Sequence, residues 1–443
     1  MGWAGVASIL ARIVPPSFPE RDCPITEQGA IPDGKTDATL AIHKAIATCS
    51  AQGGGRVVVP SGVFLTGALR LESNINLHLA EGATLRFDPN PEKYLPVVLT
   101  RWEGIECMNY SPLIYALDRE NVAITGSGTL DGAAADGNWW AWAKKGPDGK
   151  SRAAPDVKAL NVMSEQGVPV AERVFGKGHY LRPNFIQTYR TRNVLIEGVK
   201  IIRSPMWEVH PVLSENVTVR GLEIISHGPN NDGCNPDSSK DVLIENCIFD
   251  VGDDCIAIKS GRNDDGRRVG RPSENIIVRG SSMRDGHAGV AIGSEIAAGA
   301  RNVFIENNRM DSPNLDRALR LKSNARRGGV IENVYMRNVQ VGRVSEALLT
   351  IDFLYEEGPN GKFPPTARNI VMENVTAEQS PRLFHVRGFP GATIEGIRVA
   401  DTRLSNVTAT EVIEHAGRIE LERVWIEPAV KTRSLSSRPP TGD

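Results

Sequence analysis

The chain has 443 residues, 40% of them hydrophobic, and a formal net charge of −2. This near-neutral charge gives no support to nucleic-acid binding, which favours a basic face. No stretch approaches the roughly 18 consecutive apolar residues of a membrane-spanning helix, so we predict neither a nucleic acid nor a membrane as partner.

The first 24 residues contain a short apolar run, without the basic stretch or the clear cleavage site of a signal peptide. We treat residues 1–24 as an N-terminal segment. The stretch from Asp37 to Ser50 then carries apolar residues at helical spacing, at Leu40, Ile42, Ala45, Ile46 and Cys49. Cys23 and Cys49 flank this predicted helix and could form one disulfide in an oxidising compartment, whereas the apolar position of Cys247 predicts a buried free thiol.

A motif of the form N-V-x-I recurs along the chain and organises its fold. It begins at Asn121, Asn193, Asn216, Asp241, Asn275, Asn302, Asn333 and Asn369. Each copy predicts a short strand with alternating apolar residues that cannot bury its apolar face alone, so the copies must stack. The repeated Asn suits a turn, where it can stack on its copies. We predict an all-β, single-domain, right-handed parallel β-helix over residues 25–427. Within this range, the predicted helix at residues 37–50 caps the N-terminal end of the coil. A flexible tail follows over residues 428–443.

A long insertion separates the copies at Asn121 and Asn193, 72 residues apart, and it contains Trp139, Trp140 and Trp142. Long insertions in solenoids often emerge on the binding face. The three indoles could stack on sugars, but we favour a small satellite core.

Three aspartates provide the candidate chemistry. Asp253 follows Asp232 by 21 residues, and Asp254 comes next. Because about 20–30 residues make one solenoid turn, Asp232 and Asp253 should stack on neighbouring coils. Strands about 4.8 Å apart would bring the three carboxylates onto one patch, where at least one should hold a proton near neutral pH. A protonated acid beside ionised carboxylates is the equipment of glycoside hydrolysis.

His287 follows Asp254 by 33 residues, and Arg320 and Lys322 come another coil later. Residues 320 and 322 alternate along a strand, so both side chains should face the same side. Two fixed cations beside a carboxylate cluster predict an anionic sugar that is bound through its carboxylate.

Together these motifs resemble the polygalacturonases, family 28 of the glycoside hydrolases, and bacterial exo-acting members in particular. The family pattern N-x-D, G-D-D, G-H-G and R-I-K stands here as residues 230–232, 252–254, 286–289 and 320–322, with Ala288 and Leu321 as departures. The resemblance covers roughly Ile25 to Glu427. It implies a pectin-degrading hydrolase that cuts α-1,4 bonds next to galacturonate with inversion, and it favours exo action. Neither a cofactor nor a metal is expected.

In the mechanism that we predict, Asp253 is the general acid, and Asp232 and Asp254 activate water. His287 orients a catalytic carboxylate or a sugar hydroxyl. Arg320 and Lys322 hold the substrate carboxylate, while Asn230 positions Asp232 or the sugar.

Several alternatives compete with this interpretation. Clustered aspartates could bind calcium, as in a calcium-dependent lyase, although the Arg-x-Lys pair argues against a bare metal site. The enzyme could instead cut rhamnogalacturonan or another acidic glycan, or the chain could be a carbohydrate-binding, tailspike-like β-helix without catalysis. The substrate predicts a secreted or periplasmic location, and we expect a monomer.

Other polar and aromatic residues receive weaker interpretations. We place Asp237 in a turn and Asp264 with Asp265 on a solvated rim. Trp207 is assigned equally to core and sugar platform, and Trp102 and His210 remain without a defined role.

Overall fold

The structure, a computed structural model, describes residues 2–147 and 149–429. Over these residues the chain winds into a right-handed parallel β-helix, which confirms the predicted fold. Successive coils pair in parallel register; Val217, Val242 and Ile276, for example, lie side by side on three neighbouring strands. Their apolar side chains point into one core that runs along the axis of the coil.

Two faces of the coil belong to one 22-stranded sheet. Strands of the first face are Asp22–Pro24, Gly55–Val59, Ile75–Leu79, Glu120–Gly126, Arg192–Glu197, Glu215–Arg220, Lys240–Glu245, Ser273–Arg279, Ala300–Glu306, Val330–Arg343, Thr366–Gln379, Thr393–Val407 and Ile419–Pro428. Strands of the second face are Asp33–Asp37, Gly62–Thr66, Ala83–Phe87, Thr129–Asp131, Lys200–Ile202, Glu223–Ser226, Ile248–Val251, Ser282–Asp285 and Arg309–Met310. The four long strands from Val330–Arg343 onwards continue from the first face onto the second, since Val330–Arg343 pairs with both Ala300–Glu306 and Arg309–Met310.

The third face is split into two sheets. The four-stranded sheet contains Leu69–Arg70, Ile114–Leu117, Ile186–Tyr189 and Val209–Val212. The six-stranded sheet contains Ile256–Ile258, Val290–Ile292, Arg317–Lys322, Ala347–Asp352, Phe384–Arg387 and Val412–Glu414. Isolated bridges through Cys234 and Asp237 join the two sheets. A separate sheet has three strands. Val98–Trp102 and Ile105–Asn109 form an antiparallel hairpin, which we call the hairpin 98–109, and Val174–Phe175 pairs with the second of these strands.

The Asn that opens each repeat forms a ladder along one corner of the coil. These residues adopt positive φ angles, such as 56° at Asn193 and 57° at Asn216, a conformation that Asn tolerates better than most residues. The side-chain amides donate to their counterparts on the preceding coil, with Asn216 Nδ2 lying 2.8 Å from Asn193 Oδ1. Asp241, which stands in place of Asn in one repeat, has no amide and can only accept, as it does from Asn275 Nδ2 at 2.9 Å. The expectation that the Asn residues stack on their copies is therefore confirmed.

Four α-helices accompany the coil. They are α1 (Val6–Leu10), α2 (Thr39–Ala51), α3 (Ala154–Glu165) and α4 (Asn263–Val269), with 3-10 turns at Trp3–Gly5, Ile25–Gln28, Pro91–Tyr94, Trp139–Trp142 and Val170–Glu172. Helix α2 is the predicted cap, and it buries Ile42, Ala45, Ile46 and Cys49. Leu40 instead points to solvent. Cys23 and Cys49 are both free thiols, and Cys247 is a buried free thiol as predicted.

The N-terminal segment lies on the outside of the coil. Val6 and Ile9 of α1 pack with Ile277 and Phe304, two outward-facing residues of the first face. This contact joins residues far apart in sequence, so no local pattern could predict it. Among the described residues, no helix has the length and apolar character needed to cross a membrane. Of the predicted tail, residues 430–443 lie outside the described residues.

The insertion contributes to the main core. Trp139 and Trp142 are buried and lie edge-on, with their ring centres 4.7 Å apart. They pack beside Tyr94 and Tyr110 in the same cluster as the coil interior. The preference for a core role over sugar stacking is confirmed, but this core is the main one. A true satellite core lies under the hairpin 98–109, where apolar residues of the hairpin, of α3 and of the segment around Trp207 pack together.

Candidate active site

A cavity of about 420 Å³ opens beside the third face of the coil. All seven predicted site residues line it: Asn230, Asp232, Asp253, Asp254, His287, Arg320 and Lys322. The structure thus brings together residues spread over 92 positions of the chain, counted from Asn230 to Lys322. The repeat spacing had predicted this grouping for six of the seven residues, and the family pattern N-x-D had added Asn230.

The acidic residues and the histidine lie where the chain enters the third face. Asp254 comes two residues before the strand Ile256–Ile258, and His287 comes three residues before Val290–Ile292. Because Cys234 bridges Ile256, the residue in register with Asp232 on the next coil is Asp254. The expectation that Asp253 stacks directly on Asp232 is off by one residue, since the register is set by this bridge. Asp253 is aligned with His287 on the following coil, and the backbone N–H of His287 donates to the backbone carbonyl of Asp253.

The three carboxylates each place an oxygen within 4.8 Å of the others. Asp232 and Asp254 are almost fully buried, with 3% and 1% of their side chains exposed, whereas 19% of Asp253 is exposed. Burial, reinforced by repulsion from Asp253 and Asp254, raises the pKa of Asp232 well above its ordinary value. This shift favours the protonated form of Asp232 in the substrate-free site.

Asp253 has the opposite shift. Burial alone would raise the pKa of Asp253, but a hydrogen bond from His287 and the charges of Lys322 and Lys259 lower it to about 2. His287 Nδ1 lies 3.1 Å from Asp253 Oδ1. The same hydrogen bond raises the pKa of His287 above its ordinary value. Near neutral pH the two groups therefore form an imidazolium–carboxylate pair at the mouth of the cavity.

Replacing His287 by Gln should destabilise the protein in a pH-dependent way. The raised pKa of His287 contributes stability below about pH 6.5, which is lost as pH rises through the folded-state pKa. The lowered pKa of Asp253 contributes stability above about pH 4, which is lost as pH falls towards 2. The difference in thermal unfolding between the wild type and His287→Gln should therefore be largest between these limits. It should reach at most about 1 kcal/mol because His287 is half exposed. A difference that is constant from pH 4 to pH 9 would contradict the pairing.

The two predicted cations lie on the strand Arg317–Lys322 and face the carboxylates. Lys322 Nζ is 2.8 Å from Asp254 Oδ2, and Arg320 approaches Asp254 Oδ1 at 4.0 Å. Both cations also lie 5.5 Å from the centre of the Tyr355 ring. Lys322 thus already has a carboxylate partner in the substrate-free site, and Arg320 is the less committed of the two.

Asn230 lies at the cavity but does not contact Asp232 through any of its described hydrogen bonds. Its side-chain oxygen accepts from the buried Arg182, with Arg182 Nη2 at 2.6 Å. Burial lowers the pKa of Arg182 to about 10. The residue that donates to Asp232 is instead Asn235, whose Nδ2 lies 2.8 Å from Asp232 Oδ2.

The sequence interpretation missed Lys259 and Glu295. Lys259 Nζ lies 2.9 Å from Glu295 Oε2, 3.7 Å from Asp232 Oδ2 and 4.5 Å from the centre of the Trp207 ring. Trp207 is buried in the satellite core, which agrees with the core role considered for it, and it also lines the cavity. Lys259 ends the apolar run Ile256–Ile258, and its polar character after that run was the one signal that could have pointed to it.

Two interpretations of acidic residues were wrong. Asp237 is fully buried, pairs with Arg101 at 2.9 Å and lies 3.4 Å from His210 Nε2; it is no simple turn residue. Asp265 is buried within helix α4, where it binds Arg173 at 2.7 Å, so it is not on a solvated rim. Only Asp264 is solvated, half exposed and paired with Arg267 on its own helix.

Within the part of the chain that the structure describes, two groups of side chains are close enough to share a cation. The first is Asp232, Asp253 and Asp254, which we call the catalytic triplet after its predicted role, but ammonium groups of Lys322 and Lys259 already approach its oxygens. Calcium requires six to eight oxygen ligands, which a triplet engaged by lysines does not offer. The second group is His227, Asp250 and Asp285, none of which lines the cavity.

A partly exposed carboxylate next to buried carboxylates, with cations on the facing strand of a parallel β-helix, is typical of a glycoside hydrolase site. Comparison with known proteins identifies the family. The pattern described as glycosyl hydrolases family 28 matches residues 174–415, more than half of the chain. The chain belongs to this family.

Several relatives share most of the chain. The structure of a hyperthermoactive exopolygalacturonase from Thermotoga maritima is 48% identical, covers 96% of each chain and superimposes with a TM-score of 0.92. A family 28 exopolygalacturonase from Yersinia enterocolitica is 25% identical, covers 92% of this chain and 78% of its own, and has a TM-score of 0.71. An exo-poly-alpha-D-galacturonosidase from Dickeya chrysanthemi is 30% identical over 384 residues, which are 80% of this chain and 62% of that protein.

Proposed function

We propose that the protein is an exo-acting polygalacturonase, which hydrolyses α-1,4 linkages of galacturonan from a chain end with inversion. The observation that carries the proposal is that Asp253, alone of the three clustered aspartates, is partly exposed, next to two buried carboxylates and a cationic strand. The relatives named as exopolygalacturonases support the same substrate and mode of attack.

Asp253 is the proposed general acid because it alone of the three is open to a leaving oxygen. Its lowered pKa means that the proton rests on Asp232 in the substrate-free site. A sugar that covers Asp253 removes water from it, and desolvation favours the neutral carboxyl group. The carboxylate oxygens lie within 4.8 Å of one another, a distance that one water molecule can bridge, so a proton held by Asp232 can pass to Asp253 through water. Asp232 is then ionised and acts with Asp254 on water.

Inversion is proposed from the burial of the carboxylates. Retaining enzymes need a carboxylate nucleophile that reaches the anomeric carbon. Asp254 is covered and bound by Lys322, and Asp232 is covered and bound by Asn235. Their oxygens lie closer to Asp253 than the roughly 6.5–9.5 Å typical of inverting enzymes. Water is nevertheless the one nucleophile that can reach the sugar from this pair.

Substrate recognition is proposed for Arg320 and Lys322, which present two positive charges on the strand facing the acids. Guanidinium and ammonium groups bind carboxylates through charge-assisted hydrogen bonds, and each galacturonate unit carries one carboxylate. Trp207 lines the same cavity as a flat apolar surface. Asn230, held by Arg182, adds a polar contact at the cavity wall.

Exo action is proposed from the wall that the hairpin 98–109 forms across the cavity. Its tip carries Glu103, which lines the cavity and lies 3.0 Å from Arg262. A wall at this position leaves room for a chain end and obstructs a continuing polymer. Since pectin lies outside the cell, the proposal includes a secreted or periplasmic location. It also includes a monomeric enzyme.

The test combines product size with anomeric configuration. Incubation with polygalacturonate should release mainly monogalacturonate from the start, and proton NMR should detect the β-anomer of the new reducing end first. An α-anomer appearing first would contradict inversion. Products of intermediate length from the start would contradict exo action. Activity on rhamnogalacturonan instead would identify another acidic glycan as the substrate, and a product absorbing in the ultraviolet would indicate a lyase.

A further inference from the structure

Asp265 of helix α4 connects three separate segments of the chain around one buried carboxylate. Its Oδ1 accepts hydrogen bonds from Arg173 Nη1 at 2.7 Å and from Arg268 Nε at 3.0 Å. Its Oδ2 accepts the backbone N–H of Glu106 at 2.8 Å. Every described contact of this carboxylate is therefore with a donor.

These contacts fix the second strand of the hairpin 98–109, Ile105–Asn109. Arg173, which belongs to the long insertion, also donates to the carbonyl of Glu106 at 3.1 Å. Arg268 contacts the Glu106 side chain in addition to Asp265. The charges of the two carboxylates, Asp265 and Glu106, thus balance those of the two guanidinium groups, Arg173 and Arg268. Their contacts link the hairpin, the insertion and helix α4 to one another.

The hairpin tip closes onto the cavity immediately beyond this cluster. Arg262 N donates to the Gly104 carbonyl at 2.9 Å, and Glu103 pairs with the Arg262 side chain. Gly104 has a φ of +80°, and a Cβ atom there would lie 2.8 Å from Arg262 N. The tip therefore sits against the start of α4 with no space between them.

We infer that Asp265 is a positioning residue that holds the wall of the cavity closed and thereby sets the length of the released product. This inference rests on the proposed exo-acting function. The position of the wall would then depend on one side chain, Asp265, which does not itself line the cavity. Asp265 touches neither the catalytic triplet nor the cationic strand in its described contacts, so its effect is on which chains fit.

Replacement by Asn removes the clamp with little change in shape. An amide offers one oxygen and one NH₂ group. In either orientation the NH₂ group therefore faces a donor, the guanidinium groups on one side or the Glu106 N–H on the other. The uncompensated Arg173 remains buried, which strongly disfavours the closed arrangement. The first strand of the hairpin keeps its own buried anchor, the ion pair of Arg101 with Asp237, and Arg101 lies opposite Glu106.

The experiment compares Asp265→Asn with Asp264→Asn, a matched control one residue away whose carboxylate is half exposed and contacts only its own helix among the described residues. Each variant digests polygalacturonate, and products are resolved by length at equal numbers of bonds cut. For Asp265→Asn we expect the share of products longer than one residue to rise about tenfold or more, since loss of a buried partner shifts a closed–open equilibrium at least that far. Asp264→Asn should match the wild type.

The outcomes separate this inference from the proposed function. Wild-type enzyme that releases longer products from the start overturns exo action itself. In a second outcome, the wild type releases monogalacturonate and a folded Asp265→Asn variant gives the same products. That result overturns the role of Asp265 and leaves exo action standing. Should Asp265→Asn fail to fold, Arg268→Gln removes a half-exposed partner of the same cluster. It should shift the products in the same direction, and an unchanged pattern there would equally refute the role.

Discussion

Replacing Asp253 by Asn should reduce kcat/KM on polygalacturonate by at least about 10²-fold and by up to about 10⁴-fold, the range of general acid–base catalysis. The amide keeps the shape of the carboxyl group but cannot deliver a proton to the leaving oxygen. Because Asp253 is partly exposed and its charge faces His287 at 3.1 Å, the fold should survive the change. Steady-state kinetics with a thermal unfolding curve for each variant measure both effects.

The matched control for this experiment is Asp250→Asn on the same coil. Asp250 lies three residues earlier, outside the cavity lining, and faces His227 in a surface pair. The Asp250→Asn variant also loses one carboxylate near a histidine. Comparing the two variants therefore distinguishes the effect of losing a negative charge from the effect of losing the general acid. Near-normal turnover by a folded Asp253→Asn variant would overturn the assignment of the acid. An equal loss in the Asp250→Asn variant would mean that the charge of this region matters rather than the proton.

Replacing Lys322 by Ala should cost roughly 10–150-fold in kcat/KM on polygalacturonate, since a charge-assisted hydrogen bond contributes about 1.5–3 kcal/mol. Methyl-esterified polymer lacks the partner charge, so the loss there should be much smaller. The wild type should correspondingly prefer the de-esterified polymer. Parallel kinetics on polymers of low and high esterification measure this difference directly.

The contact between Lys322 and Asp254 gives this prediction a sharp competitor. At 2.8 Å, the ammonium group could act by neutralising Asp254 rather than by binding substrate. Arg320→Gln is the matched comparison, because Arg320 only approaches Asp254 at 4.0 Å and should therefore report substrate binding alone. Losses that are equal on both polymers would refute recognition by Lys322. A selective loss for Arg320→Gln together with an equal loss for Lys322→Ala would divide the two roles between the residues.

The sequence predicted the coil and the catalytic grouping because both depend on periodic spacing. The Asn at the start of each repeat fixes one corner per coil, and Asp232, Asp253 and His287 recur at coil-length intervals. A register error of one residue remained, since Cys234 pairs through an isolated bridge that leaves no strand-length pattern in the sequence.

The wrong interpretations share a different cause. Asp265 lies in a stretch rich in charge and glycine, which is typical of an exposed loop. Its buried partner Arg173 is 92 residues earlier. Asp237 likewise pairs with Arg101, 136 residues earlier. Local composition cannot distinguish a solvated carboxylate from one whose counter-ion arrives from another segment, and spacing does not help because these partners belong to insertions rather than to the repeat.

The asparagine ladder has a consequence for how such proteins can diversify. Coils from Asn193 onwards differ in length between 23 and 36 residues, yet the ladder side chains from Asp241 to Asn369 remain joined one to the next, as between Asn333 and Asn369 at 2.7 Å. Extra residues must therefore emerge at the other corners, and the long ones surround the cavity. One edge of the molecule acts as a fixed spine, while the opposite side can gain or lose loops. Specificity can thus evolve by lengthening a coil on the cleft side without disturbing the stacking that keeps the protein folded.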